Sequence, residues 1–436
     1  MRTTRSKAIT GQGEFKNGSR RREEADLGAK SNFRLVTSAA TALARIRELT
    51  LFRVRASTSI FHLPSSIRYA RAVLQRLVEQ LTRGHALSDE QVTVAVGHLV
   101  GEQVSAAGKA DFLAALATKG ETVGEIAAFA RELRARSIQP PLDPETRSRE
   151  ILDVCGTGGD RLGTFNISTT VAIIVAAAGV TVAKHGNRAI TSQAGSADVL
   201  EALGMRIDWA PEQAARSLRK HQFAFFFAPK YHPGFKNIGP ARKICAERGQ
   251  RTIFNFLGPL LNPARPSAQL IGVPRPDLCE PIARVLQSLG VRRGMVVSGQ
   301  VPGVGAPVSS PKAADASAMS FLDELSTLGD NTIAEFYQEH GFTMSNLSPE
   351  QFPLQPAVLA DLVGADCATN ARIVRRLLQN EDRGPKRDAV LLNTAAALLV
   401  AGRVKSLVEG WERAIALIES GEAEAKLKEL VAASAA

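Results

Sequence analysis

Cysteine is scarce in this chain. Its 436 residues hold four, Cys155, Cys245, Cys279 and Cys367, too far apart for a CxxC pair. That spacing argues against a zinc ribbon or a disulfide framework and makes a reducing compartment the default. Aromatic residues make up only 5%. No run of ~18 apolar residues is free of charge or Gly/Pro breaks, so no membrane-spanning helix is expected. Acidic excess is lacking too, since 54 Lys and Arg face 43 Asp and Glu for a net charge of +11. The basic surplus is local. Residues 1–68 carry fourteen basic and five acidic residues, +9, and the rest of the chain is +2. The body therefore has little charge with which to grip a nucleic-acid backbone, and at 44% apolar and 22% charged it has the composition of a soluble globular protein. Residues 1–68 read as a disordered basic extension. They are Arg- and Ser-rich, as transit peptides are, but Glu23, Glu24 and Asp26 interrupt them and no secretory apolar core is visible. The expected location is the cytoplasm, with a plastid as the alternative if the extension is a transit peptide.

Three blocks follow. Residues 69–138 read as helices, with Val73, Leu74, Leu77, Val78 and Leu81 at helical spacing and capping boxes at Ser88/Gln91 and Thr122/Glu125. Pro140, Pro141 and Pro144 mark a linker. From Ile151, short β-rich runs (Ile151–Val154, Val180–Ala183, Phe223–Phe227, Leu270–Val273, Met295–Val297) alternate with helical stretches (Ser168–Ala178, Ser196–Leu203, Pro211–Lys220, Pro276–Leu289). That alternation predicts an α/β domain over residues 139–436 with a mainly parallel central sheet. Residues 299–320, rich in Gly, Pro, Ser and Ala, read as a flexible insertion, and residues 386–432 as amphipathic helix.

The chemistry starts where the first strand runs into Gly156-Thr157-Gly158-Gly159-Asp160. A strand, a glycine-rich turn and a helix form a phosphate cradle, because glycines let backbone N–H groups converge on an anion. The turn lacks the Lys-Ser/Thr of a Walker A loop, and Arg161 stands where a dinucleotide fingerprint needs glycine. Asn166-Ile167-Ser168-Thr169-Thr170 opens an apolar helix, either as a plain N-cap or as an anion site. Lys184-His185-Gly186-Asn187-Arg188 follows the second strand at the sheet's ligand-binding end. Gly195-Ser196-Ala197-Asp198 starts a further helix. Four such elements within 156–198 imply a ligand with more than one phosphate. Asp323-Glu324 offers hard oxygen ligands for Mg²⁺ if a loop carries the pair, and is otherwise a solvated charge pair. Near Tyr231-His232-Pro233, Arg242 is the residue type that clamps a carboxylate.

GTGGD (156–160), NIST (166–169), KHGNRA (184–189), GSADVLEALG (195–204), RTIFNFLGPLLNPA (251–264) and DELS (323–326) together resemble anthranilate phosphoribosyltransferases from about residue 69 onward. The resemblance implies the nucleoside phosphorylase class II fold: a small N-terminal helical domain over 69–138, joined by part of 232–250, plus a large α/β domain, assembled as a homodimer. It implies small-molecule substrates, 5-phosphoribosyl 1-diphosphate and anthranilate, with Mg²⁺, in tryptophan biosynthesis, and neither membrane nor nucleic acid as partner. On this likeness Gly156, Thr157, Gly158, Gly159, Asp160, Thr164, Asn166, Ser168, Thr169, Lys184 and Ser196 meet the phosphoribosyl diphosphate. Gly156, His185, Asn187, His232 and Arg242 meet anthranilate, while Ser168, Asp323 and Glu324 hold metal. Lys184 and Asp160 are the candidates for electrostatic catalysis. Arg161 for the usual glycine, Thr191-Ser192-Gln193, Ser298 before the acids and the 299–320 insertion depart from the pattern. A pyrimidine nucleoside phosphorylase of the same fold and a non-catalytic nucleic-acid-binding relative are the rival readings.

Overall fold

A computed structural model describes residues 65–189, 193–303, 319–338 and 341–435. The expectations for the extension before residue 65, for Thr191 and Ser192, and for 304–318 lie outside the described residues. Four helices come first: α1 (Ser65–Thr82), α2 (Asp89–Val100), α3 (Ala106–Lys119) and α4 (Val123–Ala135). Both predicted capping boxes form, Ser88 with Gln91 and Thr122 with Glu125, so each helix starts with its orphan N–H groups satisfied.

The sheet has the strand order β3-β2-β1-β4-β5-β7-β8, with β6 paired to β5. β1 (Ile151–Gly156), β2 (Thr181–Gly186), β3 (Phe223–Phe227), β4 (Ala268–Gly272) and β5 (Arg293–Val301) run parallel. β6 (Ser320–Leu322), β7 (Asn331–Tyr337) and β8 (Gly341–Leu347) run antiparallel at the β5 side. Parallel strands buried on both faces need continuous apolar runs, and β1 to β5 have them. Side chains two apart face the same way. Leu152, Val154, Leu270 and Val297 therefore pack on α5 (Ile167–Ala177) and the C-terminal helices. Cys155, Ile271 and Val296 face a second core. That core also contains Leu113, Phe112 and Phe129 of α3 and α4, and Ile238, Ala241 and Cys245 around the helix Gly239–Glu247. The segment that bears Arg242 is thus anchored to the helical bundle.

One expectation is corrected here. Residues 299–301 and 320 are not loop: Gly299, Gln300 and Val301 pair with Leu322, Phe321 and Ser320. Val301 and Leu322 are buried apolar residues that earn a ladder in spite of the glycine-rich surroundings.

Candidate active site

The loop leaving β1 and the carboxyl end of β4 meet the bend that follows β6, with Lys184 of β2 nearby. That bend carries Asp323 and Glu324, both buried. Its approach is extremely close. A Cβ on Gly156 would lie 2.7 Å from the Asp323 carbonyl oxygen, one on Gly272 1.5 Å from it, and one on Gly299 2.6 Å from the Glu324 carbonyl oxygen. Three strand glycines therefore form a seat that only bare backbone allows. Because the pair sits on a bend rather than in a strand, both acids turn towards the same region.

Asp323 Oδ2 accepts hydrogen bonds from the Thr157 hydroxyl at 3.1 Å, from the Gly158 N–H and from the Gly159 N–H at 3.2 Å. The amides expected to hold a phosphate hold a carboxylate of the chain instead. Asp160 faces Asp323, and its buried Oδ2 has no hydrogen-bond donor. Burial raises the Asp160 pKa. Burial, then the charges of Asp160 and Glu324, push Asp323 well above the usual carboxylate range. Glu324 is pushed up to about 7 by burial, against the pull of Lys184 and Ser168.

Lys184 is 1% exposed; its Nζ donates to the Val154 carbonyl at 2.7 Å and reaches the Ser168 hydroxyl at 3.4 Å. Asn166 stands at the N-cap of α5 without capping it: its Nδ2 donates to the Ala194 carbonyl and its Oδ1 accepts from Asn370. Ser168, the second residue of that helix, hydrogen-bonds Glu324. Thr169 Oγ1 is buried without a partner. Thr164 forms an isolated bridge to Val363, and the Ser196 hydroxyl reaches the Asn187 carbonyl at 3.5 Å. Arg161 adopts φ 59° on the exposed side of the loop, while Arg188 pairs with Asp198 and Glu201. Ser298 is buried.

From Lys184 an aromatic row runs towards Arg242. The His185 and His232 rings lie 5.3 Å apart, His232 and Phe235 5.1 Å, and Phe235 and Phe254 5.6 Å, and the Arg242 guanidinium lies 5.4 Å over Phe254. Burial lowers the His185 pKa to about 3 and the His232 pKa to about 4, so both are neutral at pH 7. The carbonyls of Gly258 and Leu261 engage the two rings and leave Nε2 of each buried without a partner. The RTIFNFLGPLLNPA stretch thus fixes these imidazoles. Asn187 is exposed at the mouth.

Sequence reasoning missed Asp153, Asn262 and Arg134. Asp153 is fully buried and accepts from Asn262 and from the His185 N–H. Arg134 of α4 donates to the Leu260 carbonyl. An acid in the middle of the apolar run Ile151–Cys155 was the available signal for Asp153.

Buried carboxyls that face one another, one with an orphan oxygen, suit a hard divalent cation. Among the described residues no group of three or more His, Cys, Asp or Glu side chains could hold a metal ion, so any Mg²⁺ here would depend on waters and substrate phosphate oxygens for most of its coordination.

Glycosyl transferase family models match this chain, the helical bundle domain over residues 75–137 and the α/β domain over 148–307 and 308–424. The anthranilate phosphoribosyltransferase of Roseiflexus castenholzii is 43% identical over 355 residues, covering 81% of this chain and 96% of that protein. The one from Caulobacter vibrioides is 42% identical, covering 82% and 96%. The crystal structure of the enzyme from Thermus thermophilus aligns with a TM-score of 0.70 at 38% identity, covering 83% of this chain and 99% of that one. A Saccharomyces cerevisiae anthranilate phosphoribosyltransferase in complex with PRPP and Mg aligns at 0.64 and 26% identity, covering 85% and 93%. Matched over nearly the whole length of these relatives, from the helical bundle to the acids beyond β6, the chain belongs to the anthranilate phosphoribosyltransferase family.

Proposed function

We propose that this protein transfers the phosphoribosyl group of 5-phosphoribosyl 1-diphosphate to the amine of anthranilate, releasing diphosphate, with Mg²⁺ as cofactor. The observation that carries this reading is the continuous row from the buried acids and Lys184, through His185 and His232, to the guanidinium of Arg242. One end suits a diphosphate and the other an aromatic acid.

As the ribose C1–O bond breaks, positive charge gathers on the sugar and negative charge on the leaving oxygens. Groups already in place stabilise that charge without reorganisation. Lys184, held rigid by the Val154 carbonyl, supplies one such cation. Asp323 and Glu324 would hold Mg²⁺, with Ser168 beside them; when bound, the ion would neutralise charge on the diphosphate. Arg242 takes the anthranilate carboxylate. The unpartnered Nε2 atoms of His185 and His232 are acceptors for the amine N–H groups, which orients the nitrogen lone pair towards C1. Both imidazoles stay neutral, so they position rather than donate protons.

The presence of Lys184, Asp323 and Glu324 together disfavours the nucleic-acid-binding and nucleoside phosphorylase readings. Residues 69–138 with part of 232–250 are read as the small domain and 139–436 as the large one, in a cytoplasmic homodimer that light scattering would test. Loss of anthranilate fluorescence should require both 5-phosphoribosyl 1-diphosphate and Mg²⁺. Turnover in EDTA would overturn the metal role.

A further inference from the structure

The loop between the glycine-rich turn and α5 is clasped by a distant part of the chain. The Phe165 N–H donates to the Leu362 carbonyl at 3.0 Å, the Gly364 N–H donates to the Gly163 carbonyl at 2.9 Å, and Thr164 bridges Val363 between them. A Cβ on Gly364 would lie 2.8 Å from the Phe165 Cα, so only glycine allows this approach. Behind the clasp stands Asn370, 3% exposed near the start of the helix Cys367–Leu378. Its Oδ1 accepts from the Ala365 N–H at 2.8 Å, and its Nδ2 donates to Asn166 Oδ1 at 3.0 Å. Asn166 Nδ2 in turn donates to the Ala194 carbonyl at 3.2 Å. With a backbone donor at one end and a backbone acceptor at the other, each side-chain amide has a single orientation. An amide nitrogen carries two N–H groups, so one of Asn166's remains after Ala194 is served.

We propose that Asn370 is a positioning residue for the transfer reaction: it keeps the Asn166 amide turned so that its second N–H, rather than its oxygen, is offered to a phosphate of 5-phosphoribosyl 1-diphosphate. This rests on reading Asn166 as a phosphate contact. A flip of that amide would exchange a donor for an acceptor, which a phosphate oxygen repels. Asn370 itself touches no substrate and acts through Asn166.

The test is a double-mutant cycle read in steady-state kinetics of the full chain. Asn370→Leu keeps the volume, adds no charge and cannot donate. It should raise the KM for 5-phosphoribosyl 1-diphosphate about tenfold and leave the anthranilate KM within about twofold of wild type. Asn166→Ala should raise the first KM at least as much. The double variant should rise no further than Asn166→Ala alone, because a residue that acts through Asn166 has nothing to act on once that side chain is gone. An unchanged KM in Asn370→Leu, additive rises in the double variant, or equal rises in both KM values overturn the relay. If Asn370→Leu shows no cooperative melt, Asn370→Ala takes its place in the cycle. An unchanged KM in Asn166→Ala overturns the phosphate contact and the relay together, a result distinct from failure of the relay alone. Wild type without transferase activity overturns the function itself.

Discussion

Asn262 donates its side-chain amide to Asp153 at 2.8 Å and to the Ala183 carbonyl at 2.6 Å, tying together two neighbouring strands beneath the site. Burial raises Asp153 to about 6, even with Lys184 nearby. A carboxyl whose pKa is higher folded than unfolded binds its proton preferentially in the folded state. Its contribution to stability is therefore full below about pH 4 and is lost as pH rises to about 6, on the order of 2–3 kcal/mol. Urea melts of wild type and Asp153→Asn at pH 4.5, 5.5 and 7 should show a shallower slope in the variant, where Asp160, Asp323 and Glu324 still supply part of it. Asn262→Leu strips Asp153 of a donor and should cost about 1–3 kcal/mol at pH 7.

Lys184→Met removes the cation that favours ionised Asp153 and Glu324. Steady-state kinetics should show kcat down about 100-fold or more. Lys184→Arg should rescue little, because Nζ occupies a slot 1% exposed at 2.7 Å from a carbonyl, and a planar guanidinium is a different shape.

Arg242→Ala should raise the anthranilate KM about 10–100-fold through loss of a charge-assisted pair. The KM for 5-phosphoribosyl 1-diphosphate should not move. A matching rise in both would show that the variant disturbs the whole site rather than one substrate.

Glu324 at about 7 makes metal binding proton-linked. Below that pH the carboxyl keeps its proton and competes with the ion, so Mg²⁺ affinity should rise between pH 6 and 8. Titrations in buffers of different ionisation enthalpy should record proton release that shrinks towards pH 8.

Gly272→Ala forces a methyl to within 1.5 Å of the Asp323 carbonyl, while a Cβ on Gly239 meets nothing within 4 Å. The first should lose more than about 3 kcal/mol or shift the acidic bend and abolish Mg²⁺ binding; Gly239→Ala should do neither.

The parallel half of the fold was legible because each strand is an unbroken apolar run followed by a helical one. β7 and β8 were not: Gly341–Leu347 is mostly exposed and polar on one side, so it carries no buried stripe. The site motifs lay on the turns that the sheet brings together. What the sequence could not give was the partner of the glycine-rich turn, since Asp323 lies 165 residues beyond Gly158. Nor could it give the histidine row, which depends on ring spacing across four separate segments.

The β5–β6 ladder closes at Val301 and Ser320, three residues before Asp323. Strand pairing has a period of two, so a one-residue slip between 320 and 323 would send the catalytic acids to the wrong face. The pairing of Val301 with Ser320 is thus the ruler for the acidic bend, and any change that shifts it by one position retunes the chemistry from outside the site.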